Sequence, residues 1–277
     1  MLNLREIHKP TTLADALKLL QQPGTVALAG GTELIAGARR DVRAVVDLSA
    51  LGLSYIRESG GAIAIGATTT LAELAESPIL RAVANGVIAQ AAHRSAASVL
   101  RNQETVAGTL IVEPDSILAV ALLALDARAT VVRKDTRTVP LADFLSMREH
   151  LLMTKVTSVM ALLTEITVPM TNPRASLQTV ARTPKDKPIV SVCAAARIEK
   201  NMARDVRIAL GGIAETAVRA SAAEKVLEGQ ALIDALVEKA ARAAVEDLSP
   251  RGDFRGSVAY RKEMAVVLTR RAIKELV

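Results

Sequence analysis

The stretch LAGGTELIAG, residues 28–37, passes from an apolar strand into a helix across two adjacent glycines, Gly30 and Gly31. Bare backbone at such a handover has two explanations. One is a tight turn that uses the freedom of glycine at positive φ. The other is a backbone cleared of side chains, so that a phosphate can meet the free amides and partial positive charge at a helix start. The spacing is not the G-x-G-x-x-G of a dinucleotide-binding Rossmann turn. A second stretch, TVAGTL at 105–110, has a similar make-up: a hydroxyl residue, then small residues, then an apolar run. Neither stretch by itself decides between turn and cradle.

The surroundings of these bends must be aliphatic. Half of the 277 residues are apolar, yet aromatics make up 1% and tryptophan is absent. Such a chain can build a large core and more than one domain, but it offers few rings on which bases could stack, which argues against single-stranded nucleic-acid binding. The net charge of +6 comes from scattered basic residues, with short pairs such as Arg39-Arg40 and Arg270-Arg271. That balance suits an anionic ligand or an acidic partner and does not by itself specify DNA. The N-terminal MLNLREIHKP lacks the apolar segment of a signal peptide, and no apolar run approaches the ~20 residues of a membrane helix. The expectation is a soluble, cytoplasmic protein.

Along the chain, a helix is expected over 11–22 with a threonine cap, a strand at TVALAG, a helix over 32–40 and a strand at AVVDLS. Residues 55–67 read as a hairpin turning at Gly60-Gly61. TTTLAELAESPIL opens a helix with Thr70 and Glu73 in capping-box spacing. A helix over 84–97 is followed by a loop, LRNQETVAGTL, and by the helix DSILAVALLALDA. TVVR is a strand, VPLADFL begins a short helix, and SVMALLTEITVPM is a strand. Pro173, Pro184 and Pro188 make 171–188 the most loop-like stretch and the expected domain boundary. Two strands then meet at a turn near Lys200-Asn201, and helices are expected over 217–228, 231–247 and 257–275. Strands and helices mix without regular βαβ alternation, so the class is α+β, ending in a small antiparallel sheet plus helices.

Candidate chemistry is sparse. The single cysteine, Cys193, permits no intramolecular disulfide and no cysteine cluster, and it reads as a buried apolar residue. His8, His93 and His150 sit in unlike contexts and suggest no metal site. HExxH, CxxC and GxSxG are all absent, and no paired carboxylates stand out. Asp115 reads as a helix cap. Side chains this poor in chemistry favour a bound cofactor, or no catalysis.

Taken in order, AGGTELIAG, VVDLS, IAIGATTTLAEL, LRNQETVAGTL, ALLALDARATVV, IVSVCAAARIE, RIALGGIAETAVRASAAEKVLEG and DFRGSVAYRKEMAVVLTRRAI resemble the FAD-binding medium subunit of molybdenum hydroxylases. That family includes the carbon monoxide dehydrogenase medium chain and the flavin domain of xanthine dehydrogenase. The resemblance runs nearly end to end. It implies a two-subdomain FAD-binding fold like that of vanillyl-alcohol oxidase, a PCMH-type domain over residues 1–172 with subdomains of about 1–53 and 54–172. An α+β C-terminal domain over 173–277 follows. It also implies FAD as cofactor, a molybdopterin-binding large subunit and a 2Fe-2S small subunit as partners, and electron transfer from the iron–sulfur subunit through FAD to an external acceptor.

Carried over by position, the first flavin loop gives Ala29, Gly30, Gly31, Thr32 and Glu33, with backbone donors on the pyrophosphate. The second gives Thr105, Val106, Gly108 and Thr109. Asp115 joins the set, and the basic stretch around Arg182 and Lys185 falls where the family approaches the flavin. The chain departs from the pattern in four places. Ala107 stands for the first glycine of the second loop and Thr109 for its asparagine. Ile117 stands where an aspartate often opens the next helix. No aromatic lies near Ser176 and Leu177. These departures keep a second reading open: a flavin-free structural or assembly subunit with an eroded site.

Overall fold

The computed structural model describes residues 4–37, 40–152, 161–171, 173–183 and 186–277, with backbone alone for 148–152. The first unit is a small parallel sheet built from β1 (Glu6–His8), α1 (Leu13–Leu20), β2 (Thr25–Leu28), α2 (Thr32–Ala36) and β3 (Ala44–Asp47), with strand order β1-β3-β2. Helix α1 starts where expected, because the Thr12 side chain accepts the Asp15 amide at 3.2 Å. Helix α2 is shorter than the expected 32–40 and is capped at Gly37.

The second unit runs through β4 (Ile56–Ser59), β5 (Ala62–Gly66), α3 (Leu71–Glu76), α4 (Pro78–Ala82), α5 (Val87–Ser95), α6 (Ser98–Arg101), α7 (Val106–Val112), α8 (Ile117–Ala124), β6 (Arg128–Val132), β7 (Thr136–Pro140), α9 (Leu141–Leu152) and β8 (Leu162–Pro169). Its five strands form an antiparallel sheet in the order β4-β5-β8-β6-β7. The hairpin turns on Gly60 and Gly61, both at positive φ. The capping box is complete, with the Thr70 amide donating to Glu73 at 2.7 Å and the Glu73 amide to the Thr70 hydroxyl at 3.2 Å. Residues 158–160 of the expected strand SVMALLTEITVPM lie outside the described residues.

The third unit comprises β9 (Arg174–Val180), β10 (Val190–Glu199), β11 (Met202–Gly211), β12 (Val218–Arg219), α10 (Ser221–Leu227), α11 (Asp234–Ala243) and α12 (Val258–Lys274). Its antiparallel sheet has the order β12-β11-β10-β9. Strand β9 corrects the expected loop over 171–188: the alternation from Arg174 to Val180 pairs along β10, with a proline before the strand and two more beyond it.

The second and third units share one interior, while the first keeps a small core of its own, Ala16, Leu20, Val46 and Leu48, which Leu162 joins. All eight residues of α8 are buried, so its apolar run needs no amphipathic face. Leu118 and Leu122 are fully buried, and burying a leucine contributes roughly 1.5–3 kcal/mol. One face of β10, through Cys193 and Ala195, joins this central cluster. The opposite face, through Val190, Val192, Ala194 and Ala196, packs with α10, α11 and α12. Burial pushes the Cys193 thiol up to about 12. Among the described residues no single helix is long and apolar enough to cross a membrane, and no group of three or more His, Cys, Asp or Glu is placed to hold a metal ion.

Candidate functional site

The first glycine bend follows β2, so it lies at the carboxyl edge of a parallel sheet, the edge at which open α/β sheets bind ligands. Gly31 caps α2 in the left-handed region at φ +74°. A helix start leaves its first amides without intrahelical partners, and here these belong to Thr32, Glu33 and Leu34. Ala29, Gly30, Gly31 and Thr32 are half-buried, while Glu33 is exposed.

Gly30 has a different task. A Cβ at that position would overlap the backbone carbonyl of Gln103. The bare position therefore lets one bend lie directly on the chain segment that enters the other. The two stretches, distant in sequence, meet backbone to backbone at this point.

The second stretch is not a loop. LRNQETVAGTL contains the end of α6 and most of α7, and the Thr105 side chain caps α7 by accepting the Gly108 amide at 3.2 Å. The Val106 amide donates to the Thr69 carbonyl at 2.9 Å and the Ala107 amide to that of Ala67 at 3.0 Å. The Thr109 amide returns to the Thr105 carbonyl at 2.9 Å. All four amides from Val106 to Thr109 thus have protein partners and are not open donors for a phosphate. Ala107 carries no positive φ, so its Cβ imposes no backbone strain. The side chain of Thr109 is the exception in this stretch. Its Oγ1 is buried and has no hydrogen-bond partner. A buried hydroxyl left unsatisfied needs an external partner, from a ligand or from water.

Beyond α7 the chain presents acidic residues that meet a basic one. Burial, with the charge of Glu113 beside it, raises the Glu104 carboxyl above its ordinary value of 4.5. Asp115 is not the helix cap that its position suggests. Ser116 caps α8, accepting the Ala119 amide at 3.2 Å, and Asp115 instead pairs with Lys187 at 3.2 Å. The same ammonium lies 3.6 Å from Glu113. Glu113, Asp115, Lys187 and Pro188 line a cleft with Ser191 and Gly212. A neighbouring recess shares Ile117 and Pro188 and adds Arg94, Thr179, Arg182 and Asp186. No aromatic lines either. Ser176 and Leu177 both face away, the first donating to Glu275 at 2.6 Å and the second buried in the core.

The sequence-derived residues thus divide. Ala29 to Glu33 and Thr105 to Thr109 come together through the Gly30 contact. Asp115 lines a separate cleft with Glu113 and Lys187, and the charge of Glu113 beside Glu104 links that cleft to the second stretch. Lys185 lies outside the described residues. The composition gave no reason to single out Gln103, Glu113 or Lys187. Lys187 stands two places from the lysine that the resemblance selects, within the same basic stretch.

Residues 3–171 match the family described as FAD binding domain in molybdopterin dehydrogenase, and residues 175–276 match the CO dehydrogenase flavoprotein C-terminal domain. The chain is 30% identical to the glyceraldehyde dehydrogenase medium chain of Sulfolobus acidocaldarius, over 96% of this chain and 95% of that one. It is 29% identical to the carbon monoxide dehydrogenase medium chain of Hydrogenophaga pseudoflava, over 97% and 95%. A solved structure of carbon monoxide dehydrogenase from that organism, lacking the Mo-pyranopterin moiety of its molybdenum cofactor, superposes with a TM-score of 0.87 at 28% identity. The match covers 98% of this chain and 96% of that one. The cyanide-inactivated Cu,Mo-CO dehydrogenase gives 0.90 at 27% identity, covering 100% and 98%.

Proposed function

This chain belongs to the family of FAD binding domains in molybdopterin dehydrogenases, joined to a CO dehydrogenase flavoprotein C-terminal domain, and from that premise we propose its place in an electron relay. It is an FAD-binding oxidoreductase subunit of the molybdenum hydroxylase family. The proposed partners are a molybdopterin-binding large subunit, where substrate is oxidised, and a 2Fe-2S small subunit that delivers electrons to this chain. Bound FAD supplies the redox chemistry between that cluster and an external acceptor.

The chain's own contribution is binding and exclusion of water. The Gly30 contact with Gln103 carries the reading, because it joins the two bends into one cradle. Thr32, Glu33 and Leu34 offer the open amides of a helix start to a diphosphate, with Ala29, Gly30 and the cap Gly31 forming the floor. Thr105, Val106 and Gly108 act differently: they shape the wall through an internally bonded helix. Thr109 adds a buried hydroxyl in want of a partner. Asp115 and Lys187 flank the separate cleft, and Lys185 belongs to the same basic stretch. The residues present therefore fit FAD through one open bend and one hydroxyl.

The test is direct. Purified protein should carry absorbance bands near ~370 and ~450 nm, the signature of bound flavin. Protein isolated without them should take up added FAD in a calorimetric titration. Failure of both would replace this reading with the flavin-free structural subunit.

A further inference from the structure

We propose that Arg261 is a positioning residue for the flavin cleft, holding the cleft's back wall in place from the far side of the C-terminal sheet. The inference rests on the FAD reading above.

Arg261 projects from α12 and is 3% exposed. One guanidinium nitrogen, Nη1, donates to the Ile189 carbonyl at 2.7 Å and to the Gly212 carbonyl at 2.6 Å. These two carbonyls belong to the residue before β10 and the residue after β11. At that point the strands lie closer than any side chain allows. Gly212 sits at φ +79°, and a Cβ there would overlap the Ile189 carbonyl. The two N–H groups of Nη1 therefore pin two neighbouring antiparallel backbones together.

The pinned segment is the cleft wall. Lys187 and Pro188 precede Ile189 directly and Ser191 follows closely, and all three line the cleft together with Gly212. Moving Ile189 moves the backbone that carries the Lys187 ammonium toward Asp115 and Glu113.

The other end of Arg261 is itself fixed. Nη2 donates to Asp253 at 2.7 Å. The same carboxylate accepts Arg255 through its side chain at 2.8 Å and the amides of Arg255 and Gly256 at 2.9 and 3.2 Å. Burial opposes ionisation of Asp253, but these donors win and hold it well below the ordinary carboxylate value of 3.8. A planar fork that meets two carbonyls and a carboxylate is a task that lysine's point charge cannot reproduce.

A merely structural arginine would lower stability without altering the cleft. The test therefore pairs Arg261→Met and Arg261→Lys in the full chain with Val237→Ala, a core truncation in the same apolar cluster and outside the cleft lining. The Arg261→Met variant should weaken FAD binding about ten-fold, the lower end of the losses seen when a group that orients a metal ligand is removed. Its bound flavin should show altered visible-region circular dichroism. Arg261→Lys should fall between it and the parent, and Val237→Ala should keep both properties. Amide exchange over 186–191 and 211–213 should quicken in Arg261→Met beyond any change in Val237→Ala. FAD affinity and exchange that shift no more than in the Val237→Ala control would overturn the proposal. If the parent chain itself takes up no FAD, the functional reading fails, and the exchange comparison alone decides whether Arg261 fixes the wall.

Discussion

The bend at Gly30-Gly31 and the stretch from Thr105 to Thr109 look alike as sequence and behave as opposites. The first leaves its helix-start amides open and uses a glycine at positive φ to aim them. The second bonds every amide from Val106 to Thr109 within the protein. The first is the half suited to anion contact, and the second is a rigid wall with one unsatisfied hydroxyl. A glycine-containing motif therefore does not announce an open backbone. What matters is whether neighbouring segments have already claimed the donors.

Substitutions can break this comparison in order of severity. Gly30→Ala is expected to do most, because the new carbon would collide with the Gln103 backbone, which cannot rotate away. Overpacking of this kind costs about 3 kcal/mol, and parting the two stretches should reduce FAD affinity by more than about 100-fold, equivalent to roughly 2.7 kcal/mol. Thermal melting and calorimetric titration would check both, and a parent-like titration would show that the contact does not build the cradle. Gly31→Val comes next. A β-branched residue at positive φ is strained by about 2 kcal/mol. FAD binding should be lost while far-ultraviolet circular dichroism stays that of the folded chain. Retained affinity would remove the first bend from the site.

Thr109→Val sharpens the contrast from the other side. Removing a hydroxyl that no protein group satisfies should leave the FAD-free stability within about 0.5 kcal/mol of the parent, while lost hydrogen bonding to a ligand weakens FAD by about 1 kcal/mol. A loss of stability without a loss of affinity would make the hydroxyl a structural group. Ala107→Gly should do least. Because Ala107 sits in α7 without positive φ, glycine there should lower stability by about 0.5–1 kcal/mol and should not tighten FAD binding. Tighter binding would mean that the alanine Cβ does crowd the ligand.

Local features of the fold were legible in the sequence. The Thr12 cap, the Gly60-Gly61 hairpin, the Thr70–Glu73 capping box and the Lys200-Asn201 turn each depend on residues a few places apart. Both Lys200 and Asn201 adopt the left-handed conformation that such a turn requires. Three strands lack a local signal: β1 and β7 are mostly exposed and polar and carry no apolar alternation, and the two-residue β12, which pairs with β11, falls inside the expected helix over 217–228. Strand β9 was masked by the prolines around it. Helix α7 has no sequence signal because VAGTLIV carries a glycine and four β-branched residues, and its stability comes from the Thr105 cap and from burial of Val106, Ala107, Thr109 and Leu110. In the site, the family pattern found both bends. The partners of Lys187 and the contact of Gly30 with Gln103 depend on distant backbone that no local spacing encodes.

The interior position of α8 has a consequence for how the chain comes apart. Two homology matches meet near residue 173, yet this helix is wetted on neither side. Severing the polypeptide between the matches would lay bare one flank of α8 and the Cys193 side of β10 together. Such surfaces promote clumping. The two matched ranges share a core cluster, so they are expected to melt together. A lesion in either should be felt as a shift of one common transition.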